Sequence, residues 1–271
     1  MDQKTTATDL GIATLVGRRE PPIGWLVINN PERRNAISLE MWQAISDVLA
    51  AFEADPEIRV VVLTGAGEAA FASGADISQF EQVRASPEAN ERYGRISGAG
   101  QQAIARFPKP TIAMIRGFCI GGGLAVALST DIRIAAEGSQ YAIPAARLGL
   151  GYAFGGMASL VSLVGPAYAK EIMFTARRFS GEEALRMGLI NRLVPAADLE
   201  AVVRETAGQI GANAPLTVRA AKMAIEATLR DPDRRDLATV DAAVDACFAS
   251  EDYVEGRRAF LEKRKPEFRG R

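Results

Sequence analysis

The sequence predicts an α/β fold followed by a helical region, and three observations support this prediction. Short apolar runs alternate with segments of helical periodicity up to about residue 155. One stretch, residues 59–63, has four consecutive apolar residues after Arg59, which is typical of a strand buried on both faces of a parallel sheet. Beyond residue 155 nearly every segment favours helix. We therefore expect an α/β core at residues 1–200 and a helical region at residues 201–271, packed together because no Gly/Ser-rich linker separates them.

Local signals define the first elements of the core. Residues 12–16 and 23–28 are rich in apolar and β-branched residues and flank a Pro-Pro turn, so both are predicted strands. Ser38 predicts a helix N-cap, because apolar residues recur at helical spacing after it. An Asp-Pro step at residues 55–56 ends that helix.

The rest of the chain continues this alternation and then becomes helical. A Gly/Ala-rich loop and a charged helical stretch follow the run at residues 59–63. Strands are predicted at residues 111–115 and 131–135, and between them the glycines at 121–123 open a short apolar helix. The predicted helices beyond it cover residues 166–175, 180–187, 198–212, 215–230, 233–250 and 252–264.

Composition excludes several kinds of chemistry. The sequence contains no His, which excludes Ser-His-Asp and Cys-His catalysis and any metal site built on imidazole. A net charge of -1 argues against general binding to nucleic acid or to an anionic membrane. The two cysteines, Cys119 and Cys247, lie in apolar surroundings without a CxxC pair, so no disulfide framework is expected. With no apolar N-terminal stretch and no apolar run of membrane-spanning length, we expect a cytoplasmic protein.

Two glycine-rich corners are the candidate sites of chemistry. Residues 71–77 and 117–124 each follow a predicted buried strand, and both leave backbone N–H groups without bulky side chains around them. The second corner opens a helix, whose first N–H groups lack partners within the helix. If the corners converge, their amides form an oxyanion hole. The alternative is that these glycines serve tight turns and close packing, and neither corner has a dinucleotide-binding or P-loop motif.

The order of motifs in this chain resembles the crotonase, or enoyl-CoA hydratase/isomerase, superfamily over nearly its whole length. The segments that carry the resemblance are residues 30–36, 71–77, 109–113, 117–123, 131–135, 174–177, 184–190 and 260–265. The resemblance implies a spiral of ββα units with a C-terminal helical region that mediates trimers, often stacked as hexamers, and helps to close the active site. It also implies a CoA thioester substrate, with no metal or redox cofactor, and places the two oxyanion-hole amides on Ala75 and Gly122.

The same resemblance implies contacts with the substrate and its CoA moiety. Arg33 or Arg34 in the first motif, and Lys263 near the C-terminus, stand where cations that bind the CoA phosphates are expected. The alternative is an exposed surface charge, which is the expected interpretation of Arg33. Asp76 is one expected contact, although an Asp at this position more often caps the following helix. The full set of implied substrate or CoA contacts is Arg34, Ala36, Ala72, Asp76, Ile77, Gly121, Ala125, Ala145, Phe260 and Lys263.

The chain departs from the hydratases of this superfamily at their acid–base residues. The positions of the two hydratase glutamates carry Ala125 and Ala145, and Ala153 stands where dienoyl isomerases carry an aspartate. Alanine can neither activate water nor protonate carbon. Residues 147–152 instead resemble the corresponding segment of methylmalonyl-CoA decarboxylases, which implies a functional Tyr152. The alternative is an aromatic side chain packed in a glycine-rich loop.

The best specific hypothesis from the sequence is therefore decarboxylation of a malonyl-type CoA ester. Loss of CO₂ needs no base to form the carbanion, and a wall of alanines disfavours a carboxylate relative to CO₂. Two alternatives remain open. One is an enoyl-CoA hydratase or isomerase that uses a displaced acid such as Glu81, and the other is a non-catalytic acyl-CoA-binding protein.

Overall fold

A computed structural model describes residues 10–76 and 85–271. Over these residues the strands and helices alternate and the chain ends in helices, as the sequence predicts. The strands are β1 (Leu10–Ile12), β2 (Leu15–Glu20), β3 (Ile23–Ile28), β4 (Val60–Gly65), β5 (Ala70–Ala72), β6 (Thr111–Ile115), β7 (Phe118–Ile120), β8 (Ile132–Ala136), β9 (Gln140–Ala142), β10 (Phe179–Ser180) and β11 (Arg192–Val194). The helices are α1 (Leu39–Ala54), α2 (Pro87–Ala105), α3 (Gly122–Leu128), α4 (Phe154–Thr175), α5 (Gly181–Arg186), α6 (Leu199–Gly211), α7 (Pro215–Thr228), α8 (Leu237–Phe248) and α9 (Glu251–Glu262).

The central strands of the large sheet, β3, β4 and β6, are buried on both faces, as the stretch at residues 59–63 predicts. Its strand order is β1-β2-β3-β4-β6-β8-β11, antiparallel from β1 to β3 and parallel from β3 onward. Side chains of β4 alternate between two apolar clusters. Val61 and Leu63 pack in the cluster that contains α1, whereas Val60 and Val62 pack in the cluster that contains α6. Parallel pairing therefore lies where the sequence lacks polar alternation.

Helix α1 begins at the predicted cap. The Ser38 hydroxyl accepts the N–H of Met41 at 3.3 Å, which satisfies one of the first helical N–H groups. Seven side chains of α1 are buried, and the largest of them is Trp42. Trp42 donates its indole N–H to the Tyr93 hydroxyl on α2 at 3.3 Å, which links the two helices.

A second, smaller sheet positions the glycine corners. Its order is β10-β9-β7-β5, and β5 and β7 are parallel neighbours. Because parallel strands end at the same edge of a sheet, the corners that follow Ala72 and Ile120 lie next to each other. Strand pairing, rather than proximity in sequence, therefore brings the two corners together.

Two short strands lie in the part of the chain where the sequence favours helix. β10 pairs with β9, and β11 adds the last strand of the large sheet beside β8. They have two and three residues, which is too short for a periodic pattern. Helix α6 runs across the expected division at residue 200 and packs Leu199, Val203 and Ala207 against the large sheet.

The last helices expose apolar side chains. No residue of α8 is buried. The large exposed side chains of α7 to α9 and their connections are Ile225, Leu229, Leu237, Val244, Phe248, Tyr253, Val254, Phe260 and Leu261. Trimer formation through this region stays a prediction. Among residues 10–76 and 85–271, no helix is both long and apolar enough to span a bilayer.

Candidate active site

The first glycine corner leaves the amide of Ala75 free of backbone pairing. Ala75 forms an isolated parallel bridge with Ile37. In this bridge the Ile37 N–H donates to the Gly74 carbonyl at 2.8 Å, and the Asp76 N–H donates to the Ile37 carbonyl at 3.1 Å. Successive N–H groups of an extended chain point to opposite sides, so the intervening Ala75 amide faces away from Ile37. It has no hydrogen-bond partner in the part of the chain that the structure describes.

The second corner likewise leaves the N–H of Gly122 without a backbone hydrogen-bond partner. Gly121 has φ +52° and donates its N–H to the Ala142 carbonyl at 2.8 Å, which ties the corner to the small sheet. Helix α3 begins at Gly122, and the first N–H that bonds back to this corner is that of Ala125, at 3.0 Å from the Gly121 carbonyl. Within the described ranges the Gly122 N–H has no acceptor.

The two corners converge. A Cβ atom built on Gly122 would lie 3.4 Å from the Ala75 amide nitrogen and 3.6 Å from the Gly74 carbonyl carbon. A Cβ atom built on Gly74 would lie 3.8 Å from the Gly122 nitrogen. Two unpaired N–H groups therefore lie close together at adjoining corners. Such a pair can hydrogen-bond an oxygen atom that gains negative charge.

A third glycine, Gly123, is required for close packing. A Cβ atom on Gly123 would lie 2.2 Å from the Ala72 carbonyl oxygen and 2.6 Å from the Ala72 Cβ. Only glycine fits between α3 and β5 at this position. The two interpretations of the glycine corners therefore apply to different residues, with the packing role at Gly123.

Comparisons with known proteins identify the family of this chain. Residues 19–271 match the profile of a family described as Enoyl-CoA hydratase/isomerase. The chain belongs to this family. The short-chain-enoyl-CoA hydratase of Clostridium acetobutylicum is 35% identical over 92% of this chain and 95% of the relative. The carnitinyl-CoA dehydratase of Salmonella typhi is 36% identical over 93% of this chain and 97% of the relative.

Solved structures of the enoyl-CoA hydratase/isomerase family have the same fold. An enoyl-CoA hydratase/carnithine racemase from Magnetospirillum magneticum superposes with a TM-score of 0.89 at 36% identity, covering 96% of this chain and 97% of that chain. An enoyl-CoA hydratase from Bacillus anthracis has a TM-score of 0.89 at 32% identity, covering 95% and 100%. The predicted superfamily and its α/β fold are thus confirmed.

The positions of the two hydratase glutamates flank the glycine corners. Ala125 lies one turn into α3 and is half-buried. Ala145 is 3% exposed and lies in a short 3₁₀ helix, Pro144–Arg147. That helix adjoins the second corner, because Pro144 Cδ lies 3.9 Å from a Cβ built on Gly121. Methyl groups therefore stand beside the corners at the two positions where the family resemblance implies the hydratase carboxylates.

Tyr152 lies in the segment between this 3₁₀ helix and α4. It is 36% exposed, and its Cδ1 atom would lie 3.7 Å from a Cβ on Gly156. Ala153, where dienoyl isomerases carry an aspartate, is the exposed N-cap residue of α4. The catalytic role of Tyr152 stays a prediction.

The first motif contains an ion pair that sequence analysis missed. The Arg33 guanidinium donates to the Asp76 carboxylate at 2.8 Å, and the Asp76 side chain is only 9% exposed. The pair joins the loop before α1 to the residue after Ala75. A surface charge was the expected interpretation of Arg33, and no local pattern links it to a residue so far along the chain. Ile77 and Glu81 lie outside the described residues.

Arg34, Ala36 and Ala72 are three more of the predicted contacts. Arg34 is exposed, and its guanidinium carbon lies 5.3 Å from the centre of the Phe118 ring. Ala36 and Ala72 are 7% and 0% exposed, and Ala72 lies against the position that a Cβ on Gly123 would take. Their contact with substrate stays a prediction.

Phe260 and Lys263, at the end of α9, are exposed. In the described part of this chain, neither side chain forms an ion pair, a side-chain hydrogen bond or a ring contact. Their contact with CoA stays a prediction.

Proposed function

We propose that this protein binds a CoA thioester and stabilises its enolate with the N–H groups of Ala75 and Gly122. The observation that carries the proposal is the convergence of these two unpaired amides at adjacent corners. When a thioester carbonyl gains electron density, its oxygen becomes negative and strengthens hydrogen bonds that are already in place. Fixed backbone donors need little reorganisation for this, and loss of one costs on the order of 10²–10³ in rate.

Decarboxylation of a malonyl-type CoA ester is the reaction that we propose. The bond between the α-carbon and its carboxylate breaks, CO₂ leaves, and the electron pair passes into the enolate, whose oxygen accepts from Ala75 and Gly122. A proton then adds to the α-carbon. The alanines at 125 and 145 support this reaction, because it needs no base to form the carbanion and because an apolar wall disfavours the substrate carboxylate relative to CO₂.

Tyr152 is the proposed source or positioner of that proton. Its hydroxyl would hydrogen-bond the substrate or orient a water molecule toward the α-carbon. The sequence of residues 147–152 and the exposed position of Tyr152 beside the 3₁₀ helix support this assignment. A phenylalanine at this position would keep the ring and remove the hydroxyl.

The proposed reaction is tested with methylmalonyl-CoA and ethylmalonyl-CoA. We expect release of CO₂ and formation of the decarboxylated thioester, and we expect Tyr152→Phe to lower kcat by about 10²-fold or more. Unchanged turnover in Tyr152→Phe would remove Tyr152 from the mechanism. Absence of CO₂ release at high enzyme concentration would overturn decarboxylation of these esters.

Hydration of an enoyl-CoA is the second candidate, because the relatives include proteins named short-chain-enoyl-CoA hydratase and crotonyl-CoA hydratase. Hydration requires one group to activate water and another to protonate carbon. Positions 125 and 145 offer neither, so another acid such as Glu81 would have to act. Incubation with crotonyl-CoA separates the candidates, since loss of the conjugated enoyl thioester supports hydration. Tight binding of both thioesters without turnover would support an acyl-CoA-binding protein instead.

A further inference from the structure

Phe118 is contacted by two arginines from distant parts of the chain. The guanidinium carbon of Arg34 lies 5.3 Å from the centre of the Phe118 ring, and that of Arg178 lies 5.2 Å from the same centre. Both distances are within the range of cation–π attraction. Phe118 is half-buried in β7, whereas both arginines are exposed. Two solvent-accessible guanidinium groups therefore contact the same ring.

Neither arginine has an anionic partner within residues 10–76 and 85–271. Their sequence neighbours differ in this respect: Arg33 pairs with Asp76, and Arg177 pairs with Glu171 and Glu183. Two unpaired guanidinium groups around one ring make this surface locally positive, and an anion that binds there is attracted by both charges. Arginine in particular binds phosphate oxygens through its planar fork of N–H groups.

The position of this pair relative to the glycine corners suits one kind of ligand. The Arg34 carbonyl accepts the N–H of Ser73 at 3.0 Å, and Ser73 lies two residues before Ala75. This hydrogen bond anchors Arg34 beside the first glycine corner. Phe118 begins β7 (Phe118–Ile120), and Ile120 and the turn at Gly121 lie between that strand start and the Gly122 amide. A CoA thioester has its phosphates at the far end of the pantetheine arm. The arginine pair is therefore placed beside the proposed oxyanion hole but separated from it.

We propose that Arg178, held with Arg34 on the Phe118 ring, binds the phosphate groups of the CoA moiety. This inference rests on the proposed function and adds Arg178 and Phe118 to the residues implied by the family resemblance. The ring keeps the guanidinium groups in place before the ligand arrives, so less side-chain freedom is lost on binding.

The test compares three saturated ligands that the enzyme cannot decarboxylate or hydrate: butyryl-CoA, butyryl-dephospho-CoA and S-butyryl-pantetheine. We expect Arg178→Gln to weaken butyryl-CoA binding about tenfold or more, because a hydrogen-bonded charge is lost. Binding of S-butyryl-pantetheine, which has no nucleotide phosphates, should not change. An effect that persists with butyryl-dephospho-CoA assigns Arg178 to the diphosphate, and an effect that disappears assigns it to the 3′-phosphate.

Matched variants separate phosphate binding from structural effects. Arg186→Gln removes another exposed arginine and should leave all three affinities unchanged. Arg178→Lys keeps the positive charge and should retain part of the affinity, whereas Phe118→Leu should weaken butyryl-CoA binding without removing either charge. Equal weakening of all three ligands by Arg178→Gln, or no weakening of butyryl-CoA, would overturn the inference. Failure of the folded wild-type protein to bind butyryl-CoA would overturn the proposed function instead.

Discussion

The amide nitrogen of Ala75 lies 3.4 Å from the position that a Cβ atom would take on Gly122. A methyl group there would contact the Ala75 amide, beside the place where the thioester oxygen is proposed to bind. The other neighbours of that Cβ, at 3.6 and 3.7 Å, are ordinary van der Waals contacts. We therefore expect Gly122→Ala to fold normally and to lose activity by about 10²-fold or more. Steady-state kinetics and thermal melting measure the two effects separately.

Gly208→Ala is the control for this change. Gly208 lies in α6, and a Cβ built on it meets nothing within 4 Å. This variant should keep full activity and gain slightly in stability, because alanine favours helix. Wild-type turnover in Gly122→Ala would contradict the assignment of the corner as an oxyanion hole.

Substitution of the adjacent Gly123 should instead lower the stability of the protein. A Cβ on Gly123 would collide with the Ala72 carbonyl oxygen at 2.2 Å, so α3 and β5 would have to separate. We expect Gly123→Ala to destabilise the protein by about 1–3 kcal/mol, as overpacked cores do, and to lower Tm by several degrees. Thermal melting of both variants checks the contrast, and a Tm unchanged in Gly123→Ala would contradict it.

Most of the large sheet could be predicted from sequence because its strands carry a strong local signal. The four consecutive apolar residues at positions 60–63 require burial on both faces of the strand, and the structure provides it. Phe179–Ser180 and Arg192–Val194 could not be predicted, because they become strands only through pairing with β9 and β8. Their sequences are too short to specify a period.

The candidate site likewise contains some features that the sequence predicts and others that it does not. The corners around Ala75 and Gly122 could be found from their glycines and from the family resemblance, since both signals are local. The ion pair between Arg33 and Asp76 joins residues 43 positions apart, and no sequence pattern connects them. The stacking of Arg178 on Phe118 likewise depends on how β10 and β7 are placed in the small sheet.

Restoring the two carboxylates should change the reaction. Ala125→Glu combined with Ala145→Glu would place two acids beside the glycine corners, as in the hydratases of the family. We expect the double variant to acquire measurable hydration of crotonyl-CoA and to lose decarboxylation, because a carboxylate pair repels an anionic substrate. Each single variant should lack hydration, since both proton transfers are needed. An absorbance assay with crotonyl-CoA measures the gain, and hydration by the wild type at the same rate would contradict this account.

The exposed apolar side chains of the last helices should lie in contacts between copies of the chain. Phe248 is 61% exposed and Val254 is 63% exposed, and surfaces of this kind mark interfaces in soluble proteins. Light scattering after size-exclusion chromatography should give three or six times the chain mass of 29.0 kDa. Phe248→Asp should lower that mass, whereas Asp241→Asn, an exposed polar change on the same helix, should not. A wild-type monomer at micromolar concentration would contradict the prediction.

Glu255 should make the stability of the C-terminal segment depend on pH. Its carboxylate accepts from Arg264 at 2.6 and 2.9 Å, from Arg258 at 2.8 Å and from the Glu267 N–H at 3.0 Å. The hydrogen bonds from Arg264, and then those from Arg258, hold the pKa of Glu255 well below its usual value. A carboxyl group with a lowered pKa in the folded state stabilises the protein above its unfolded-state pKa of about 4.3. This contribution disappears as the pH falls below that value toward the folded-state pKa.

Glu255→Gln should therefore lower Tm most at neutral pH, and the difference from wild type should shrink as the pH falls below about 4. Thermal melting of both proteins between pH 7 and pH 3 measures this difference. Glu91→Gln is the control, because the Glu91–Arg95 pair on α2 is largely exposed and contributes little. A difference between wild type and Glu255→Gln that stays constant over this pH range would show that Glu255 acts through packing, because only the ionised carboxylate gains from both arginines.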